Sequence, residues 1–322
     1  SLGWRVLGLN LAAILVTGAG FASTGKLTGF LETRLFEGEI IWAETTPYQR
    51  LVVTDRNGAT QLFLNGNLQF DSRDEHRYHE TLVHPAMIMA PRHDHVLILG
   101  GGDGLAAREV LRYDGVGEIT LVDLDPAMTT LFRGNPQLRS LNQGSLDDLR
   151  LTVVNQDAWK FLEATDQLFD VVIIDLPDPQ NFAISKLYSL GLYKELAGHL
   201  TADSVIVTQA TSPLFAREAF WSIHNTLAAT SNPYAPDTTL ETSPYHAYVP
   251  SFGDWGFVMA GSRLAAKPYH SLPEGLKFLT EAGLAAMTEF PPDMAPTPSA
   301  VNTILDHPLI AYYEDGWSRW FR

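Results

Sequence analysis

Apolar residues in this chain come in short runs whose spacing changes along its length. Residues 40–42, 50–54, 60–64 and 68–70 are brief β-branched or aromatic stretches separated by polar turns, among them Arg56-Asn57-Gly58 and Asn65-Gly66. Asn-Gly between apolar runs is a strong hairpin signal because both residues tolerate positive φ. A small antiparallel β domain is therefore predicted. Residues 74–89 follow with a helical pattern, Asp74 being placed to cap it and Pro85 limiting its periodicity. From His95 onward strand-like and helix-like runs alternate, with strands predicted at 96–99, 119–122, 151–154, 171–174 and 204–208 and a late pair near 246–249 and 256–260. Helical patterns fall at 105–113, 127–132, 159–164, 186–200 and 214–229. Such alternation predicts an α/β architecture built on a doubly wound, Rossmann-like parallel sheet. Beyond Pro268 the prolines at 291, 292, 296 and 298 break the chain into short helices, and the aromatic-rich stretch from Tyr312 to Phe321 is expected to pack against the body.

The first residues have a different texture. Residues 4–22 are almost wholly apolar after Arg5, and about 19 such residues reach the threshold for crossing a bilayer. This segment reads as a transmembrane helix. A buried or interfacial helix and a signal peptide cleaved near Gly20-Phe21-Ala22 are the alternatives. Lys26 and Arg34 after it favour a cytoplasmic location for the rest of the chain, so a membrane protein with a cytoplasmic catalytic domain is expected. Opening on Ser1 rather than methionine, the chain is expected to be a piece of something longer. The organisation read from these patterns is a membrane segment over 1–23, a linker and small β domain over 24–72, a Rossmann-like catalytic domain over 73–262 and a helical extension over 263–322. The net charge of -15, from 37 acidic against 22 basic residues, argues against nucleic acid as a partner and suits cationic substrates. With no cysteine in the chain, disulfides, thiolate metal sites and a cysteine nucleophile are excluded.

Candidate chemistry gathers where the predicted strands end. Residues 97–104 read LILGGGDG, an apolar run breaking into Gly100, Gly101 and Gly102, then Asp103 and a further glycine that feeds a helix. A strand ending in glycines at a helix start lets backbone N–H groups approach a ligand. A tight turn without a ligand is the alternative for that motif alone. Four acids succeed one another at strand ends: Asp103, Asp123, Asp157 and Asp175. Ligands of open α/β sheets sit beyond those ends, so Asp123 is placed for ribose hydroxyls and Asp157-Ala158 for an adenine amino group, while Asp125 before Pro126 reads as a helix cap. Asp175 and Asp178 are separated by Leu176-Pro177 and followed by Pro179. Proline stiffens such a loop and favours presenting both carboxylates, a purely structural Asp-Pro turn being the alternative.

In this order the motifs resemble the spermidine synthase family of aminopropyltransferases. The likeness runs from about Pro47 to Ala260 and rests on Tyr48-Gln49, the 64–69 hairpin, Asp74-Glu75, Tyr78-His79-Glu80, the glycine loop with Asp103, Asp123, Asp157-Ala158 and the Asp175/Asp178 pair. It is most similar to the membrane-fused bacterial branch, in which residues 4–22 would be the last of several transmembrane helices. The resemblance implies a methyltransferase-type sheet, decarboxylated S-adenosylmethionine as co-substrate, a small di- or polyamine as acceptor, 5'-methylthioadenosine as product, no metal, and a homodimer. It implies that Gln49 contacts the nucleoside, that Asp123 takes its ribose and that Asp157 with Ala158 takes its adenine. Asp175 would accept the proton, His79, Asp103 and Asp178 would line the amine and aminopropyl region, and Tyr78 and Gln209 would face the acceptor. The chain departs from the family pattern at Gln180-Asn181-Phe182, at Phe252 where a tyrosine is usual, at Asp254-Trp255, and at Asp123 where glutamate is commoner. An S-adenosylmethionine-dependent methyltransferase and a non-catalytic membrane-coupled polyamine or nucleoside sensor remain the other readings. Asp103 speaks for a free ammonium over a methionine carboxylate.

Overall fold

The computed structural model describes residue 36 and residues 38–320. The predicted membrane segment at 4–22 lies outside the described residues, and among those described no helix is long and apolar enough to cross a membrane. The chain divides into two units between Asp71 and Ser72.

In the first unit, β1 (Glu39–Thr45), β2 (Arg50–Arg56), β3 (Ala59–Leu64) and β4 (Asn67–Asp71) form an antiparallel sheet in sequence order. Its hairpins turn where the sequence predicts: Asn57 and Gly58 take φ of 55° and 81°, Asn65 and Gly66 take 50° and 87°. Two successive positive φ values match the right-handed twist of the strands they join. Leu51, Val52, Val53, Leu62 and Phe70 are buried, so that β2 is covered on both faces.

The second unit is built on a seven-stranded sheet of order β10-β11-β9-β8-β5-β6-β7. The strands are β5 (His95–Gly100), β6 (Glu118–Asp123), β7 (Leu151–Asn155), β8 (Phe169–Asp175), β9 (Leu200–Gln209), β10 (Glu241–Val249) and β11 (Gly253–Gly261). Strands β5 to β9 run parallel, whereas the late β10–β11 hairpin adds to β9 antiparallel and makes the sheet mixed. Buried on both faces, β8 reads as the unbroken apolar run Val171–Ile174. Chain order reverses between β5 and β8, and that reversal opens the crevice at their carboxyl ends.

The helices are α1 (Glu75–Met89), α2 (Leu105–Val110), α3 (Pro126–Gly134), α4 (Pro136–Leu141), α5 (Ala158–Ala164), α6 (Phe182–Ser185), α7 (Leu190–Ala197), α8 (Arg217–Ala228), α9 (Glu281–Ala286) and α10 (Leu309–Ser318). Three differ from expectation for local reasons. The helix predicted over 186–200 is a single 3₁₀ turn at Lys186–Tyr188 followed by α7, because Ser189 is extended and its hydroxyl caps a new helix. α8 starts at Arg217 rather than near 214, since the Ser212 hydroxyl accepts the N–H groups of Leu214 and Phe215 at 3.3 and 3.1 Å and holds a loop. α2 stops at Val110, and residues up to Tyr113 continue as turns. Asp74 precedes α1 but does not cap it: its carboxylate accepts the Ser251 N–H at 2.7 Å and hydroxyl at 2.9 Å. Asp125 does cap α3, accepting from the Ala127 N–H. Tyr312, Tyr313 and Trp317 of α10 pack against the sheet's apolar core.

Candidate active site

The crevice begins with two strands whose ends touch. Gly100 of β5 lies in register with Asp175 of β8, and a Cβ on Gly100 would sit 2.1 Å from the Asp175 carbonyl oxygen. With φ of 84°, only glycine suits this position. Gly101 donates its N–H to the same carbonyl at 3.1 Å. One residue on, the Gly102 N–H donates to Asp123 Oδ2 at 3.0 Å, and a Cβ there would lie 2.5 Å from that oxygen. The Asp125 N–H holds the other carboxylate oxygen at 2.8 Å. Asp123 is thus fixed at the mouth of the glycine turn, with burial pushing its carboxyl up to about 6. This bare backbone beside a held carboxylate has the shape and donor set to receive a nucleoside.

Helix α1 closes the crevice with Glu75, Tyr78 and His79. The Tyr78 hydroxyl donates to Asp175 Oδ1 at 2.8 Å. Burial raises the Asp175 carboxyl above the usual range, although His79 and the Tyr78 hydroxyl act to lower it. Beside it, Asp103 accepts the Leu105 N–H at 2.9 Å, and burial lifts it to about 6. His79 Nδ1 pairs with Glu75 Oε2 at 2.9 Å, and Arg108 of α2 grips both oxygens of Glu75 at 3.0 and 2.9 Å. Burial works against charging the imidazole, but Glu75, Asp103 and Asp175 together lift it to about 9. Glu75 is held down to about 2, because its bonds to His79 and Arg108 outweigh its own burial. At neutral pH His79 is therefore an imidazolium, whose charge eases the ionisation of two neighbouring acids.

Asp178 lies in the proline-stiffened loop after β8. Gln209, at the end of β9, is buried and donates its amide to the Leu176 carbonyl at 2.8 Å, to Tyr188 at 2.6 Å and more weakly to Asp178 at 3.4 Å. Its oxygen accepts the Thr211 N–H at 2.9 Å, so Gln209 is committed to holding the loop. Burial pushes Asp178 up to about 7 against the opposing hydrogen bonds of Tyr313 and Gln209.

Tyr78, His79, Gly100, Gly101, Gly102, Asp103, Asp123, Asp175, Asp178 and Gln209 thus gather around the ends of β5, β6, β8 and β9. Asp157 follows β7, where it caps α5 through the Trp159 and Lys160 N–H groups and pairs with Lys186 at 3.1 Å. A carboxylate has capacity for a further donor, and Ala158 beside it is buried. Gln49 belongs to the first unit, where its carbonyl accepts the Thr46 N–H at 2.9 Å. Of the departing residues, Asn181 caps α6, Asp254 pairs with His246 at 2.6 Å, and the Phe252 ring lies 6.2 Å from that of Tyr78. The sequence pattern does not single out Arg108, Tyr188 or Tyr313. Arg108 leaves a signal, as the sole charge before Glu109 in an apolar helix start; Tyr313 leaves none. Among the described residues no group of three or more His, Cys, Asp or Glu side chains is arranged to hold a metal ion. A separate cavity of about 340 Å³, lined by Leu214, Phe215, Gly316 and Trp320 among others, shares no residue with this crevice.

The profile of the spermine/spermidine synthase domain matches residues 75–265. A polyamine aminopropyltransferase from Leptospira interrogans is 46% identical over 300 residues, covering 93% of this chain and 58% of the relative. Polyamine aminopropyltransferase 2 from Ralstonia nicotianae is 44% identical over 318 residues, covering 98% of this chain and 60% of the relative. The chain spans about three-fifths of the length of these curated relatives. Among solved structures, a spermidine synthase in complex with the transition-state analogue AdoDATO superposes with a TM-score of 0.71 at 24% identity, over 79% of this chain and 86% of that one. The spermidine synthase from Thermotoga maritima gives 0.69 at 24% identity, over 79% and 85%. The structural likeness establishes the shared fold.

Proposed function

From the premise that the chain belongs to the spermine/spermidine synthase domain family, we propose that its crevice transfers the aminopropyl group of decarboxylated S-adenosylmethionine to a linear di- or polyamine. One observation carries this reading: Asp175, aimed by the Tyr78 hydroxyl, stands at the strand reversal directly beside the glycine turn and Asp123. In the reaction an amine nitrogen attacks the methylene attached to the sulfonium. A C–N bond forms, the C–S bond breaks with its electron pair on sulfur, and 5'-methylthioadenosine leaves.

Sulfonium is a good leaving group, so the protein's task is to position the partners and take a proton. Freeing an alkylammonium of its proton at neutral pH costs about 4 kcal/mol, because its pKa lies about three units higher. Asp175 is the acceptor for that proton, and Asp178 holds the ammonium at the far end. Gly100 to Gly102 and Asp123 bind the ribose side of the nucleoside, with Asp157-Ala158 assigned to its base. Asp103 takes the donor's own ammonium. Glu75, Asp103, Asp123, Asp175 and Asp178 outnumber the cations Arg108 and His79, a balance that suits an ammonium-bearing donor and opposes the carboxylate of intact S-adenosylmethionine.

Competition for the site by the two donors tests this. Tighter binding of the decarboxylated form, with the preference lost in Asp103→Asn, is expected; equal or tighter binding of intact S-adenosylmethionine would move the reading to a methyltransferase. We further assign residues 4–22 to a transmembrane helix of a membrane-fused enzyme whose catalytic unit faces the cytoplasm, on the strength of their length and apolar composition. Detergent partitioning of the protein with and without that segment tests the assignment, and light scattering tests the homodimer.

A further inference from the structure

The Asp178 end of the crevice is built partly by residues from the other end of the chain. Gln180 donates to the Tyr313 hydroxyl at 3.4 Å, and that hydroxyl faces the Asp178 carboxylate closely enough to favour its ionised form. Tyr313 sits on α10, which is seated against α8: a Cβ on Gly316 would lie 2.7 Å from Ala216 Cα, so the helix comes as close as a glycine permits. The Trp317 ring packs 5.2 Å from Phe215. The phenol is therefore aimed at Asp178 by helix packing rather than by the loop carrying the acid.

From Tyr313 a run of rings leads back to α1. Centroids are 6.0 Å apart for Tyr313 and Trp317, 6.3 Å for Trp317 and Trp255, 5.0 Å for Trp255 and Phe252, and 6.2 Å for Phe252 and Tyr78. The run starts at the hydroxyl on Asp178 and ends at the hydroxyl on Asp175. Carboxylates at both ends with aromatic faces between them match a ligand that is cationic at its ends and alkyl in the middle.

We propose that α10 is part of the acceptor site, Tyr313 positioning the Asp178 carboxylate while Trp317, Trp255 and Phe252 form a wall for the methylenes of a linear diamine. The inference deepens the aminopropyltransferase reading and rests on it. It also gives two departures from the family pattern a role: Gln180 supports Tyr313, and Phe252 contributes a ring face while the hydroxyl at the Asp178 end comes from α10. Apart from Tyr313, Asp178 is faced by Gln209 of β9 and Thr211 just after it, Tyr188 of the 3₁₀ turn and Tyr78 of α1, with Asp175 as the neighbouring charge.

The test is Tyr313→Phe in the full-length protein. Loss of a hydroxyl that faces a charged group should raise KM for 1,4-diaminobutane about ten-fold, with kcat and methylthioadenosine affinity within about two-fold of wild type on the same reasoning. The acid limb of kcat/KM for the amine should move to higher pH, because the hydroxyl that favours ionised Asp178 is lost. Trp317→Leu should raise KM for the amine without moving that limb. Calorimetric titration of 1,4-diaminobutane onto the methylthioadenosine complex reads the same loss without turnover. A Tyr313→Phe protein that transfers aminopropyl groups with unchanged amine KM and unchanged acid limb overturns the inference alone; a wild-type protein that neither binds the diamine nor aminopropylates it overturns the functional reading as well.

Discussion

Asp178→Asn should make the protein more stable above neutral pH while weakening its hold on the amine. The carboxyl titrates near 3.8 when free and is pushed up to about 7 in the fold by burial. Between those values the folded state keeps a proton that the unfolded chain has released, so stability falls as pH rises through this window and is flat above it. About three pH units correspond to roughly 4 kcal/mol for a fully secluded group. Water reaching the half-buried carboxylate reduces this, and at least about 1 kcal/mol should survive at pH 8, or roughly 2–4 °C in Tm. Asparagine keeps an oxygen facing the Tyr313 hydroxyl without the charge. Thermal melts of both proteins from pH 4.5 to 8.5 should show curves that coincide at the acid end and diverge with the variant higher at the alkaline end. Added 1,4-diaminobutane should narrow the gap by stabilising only the wild type. A variant less stable by the same amount at every pH would show that Asp178 is a structural acid and refute the reasoning.

Asp175→Asn should lose about 10²–10⁴-fold in turnover, the usual worth of a general base, yet keep methylthioadenosine affinity by titration; near-normal turnover at neutral pH would transfer the role to Asp178 or a water. Gly102→Ala puts a methyl 2.5 Å from Asp123 Oδ2 and should weaken methylthioadenosine about ten-fold, from overpacking of about 1–3 kcal/mol; unchanged affinity in calorimetry would remove Asp123 from the nucleoside site. Glu75→Gln takes away the carboxylate that most directly opposes burial at His79, so its ring should titrate well below 9 by NMR; a titration that stays near 9 would assign the imidazolium to Asp103 and Asp175 alone.

The parts of the fold and of the site that were legible in the sequence are those dictated by short-range backbone chemistry. Asn65-Gly66 had to turn a hairpin, the glycines at 100–102 had to end a strand against another backbone, and a fully apolar run ending in Asp175 had to be a central strand. Pairings that depend on packing left weaker marks or none. Asp74 precedes a helix and looks like its cap, but the β10–β11 turn offers Ser251 with two donors at once, and two hydrogen bonds to a carboxylate outweigh one. Lys186 to Leu200 has helical composition throughout, yet Ser189 satisfies orphan N–H groups better as a cap than it could mid-helix. Gln209 stands at a strand end like the acids but turns inward, because the buried loop after β8 needs a donor that can serve several acceptors. Tyr313 meets Gln180 from 133 residues away, a contact made by helix packing that no local pattern encodes.

The central claim is aminopropyl transfer, and mass spectrometry of the products tests it most directly. The full-length protein should be incubated with a panel of linear amines and either S-adenosylmethionine or its decarboxylated form. The account predicts that only the decarboxylated donor reacts, yielding an amine extended by one aminopropyl group and an equal amount of 5'-methylthioadenosine. A methylated amine with S-adenosylhomocysteine, or unchanged donor with every amine, would contradict it.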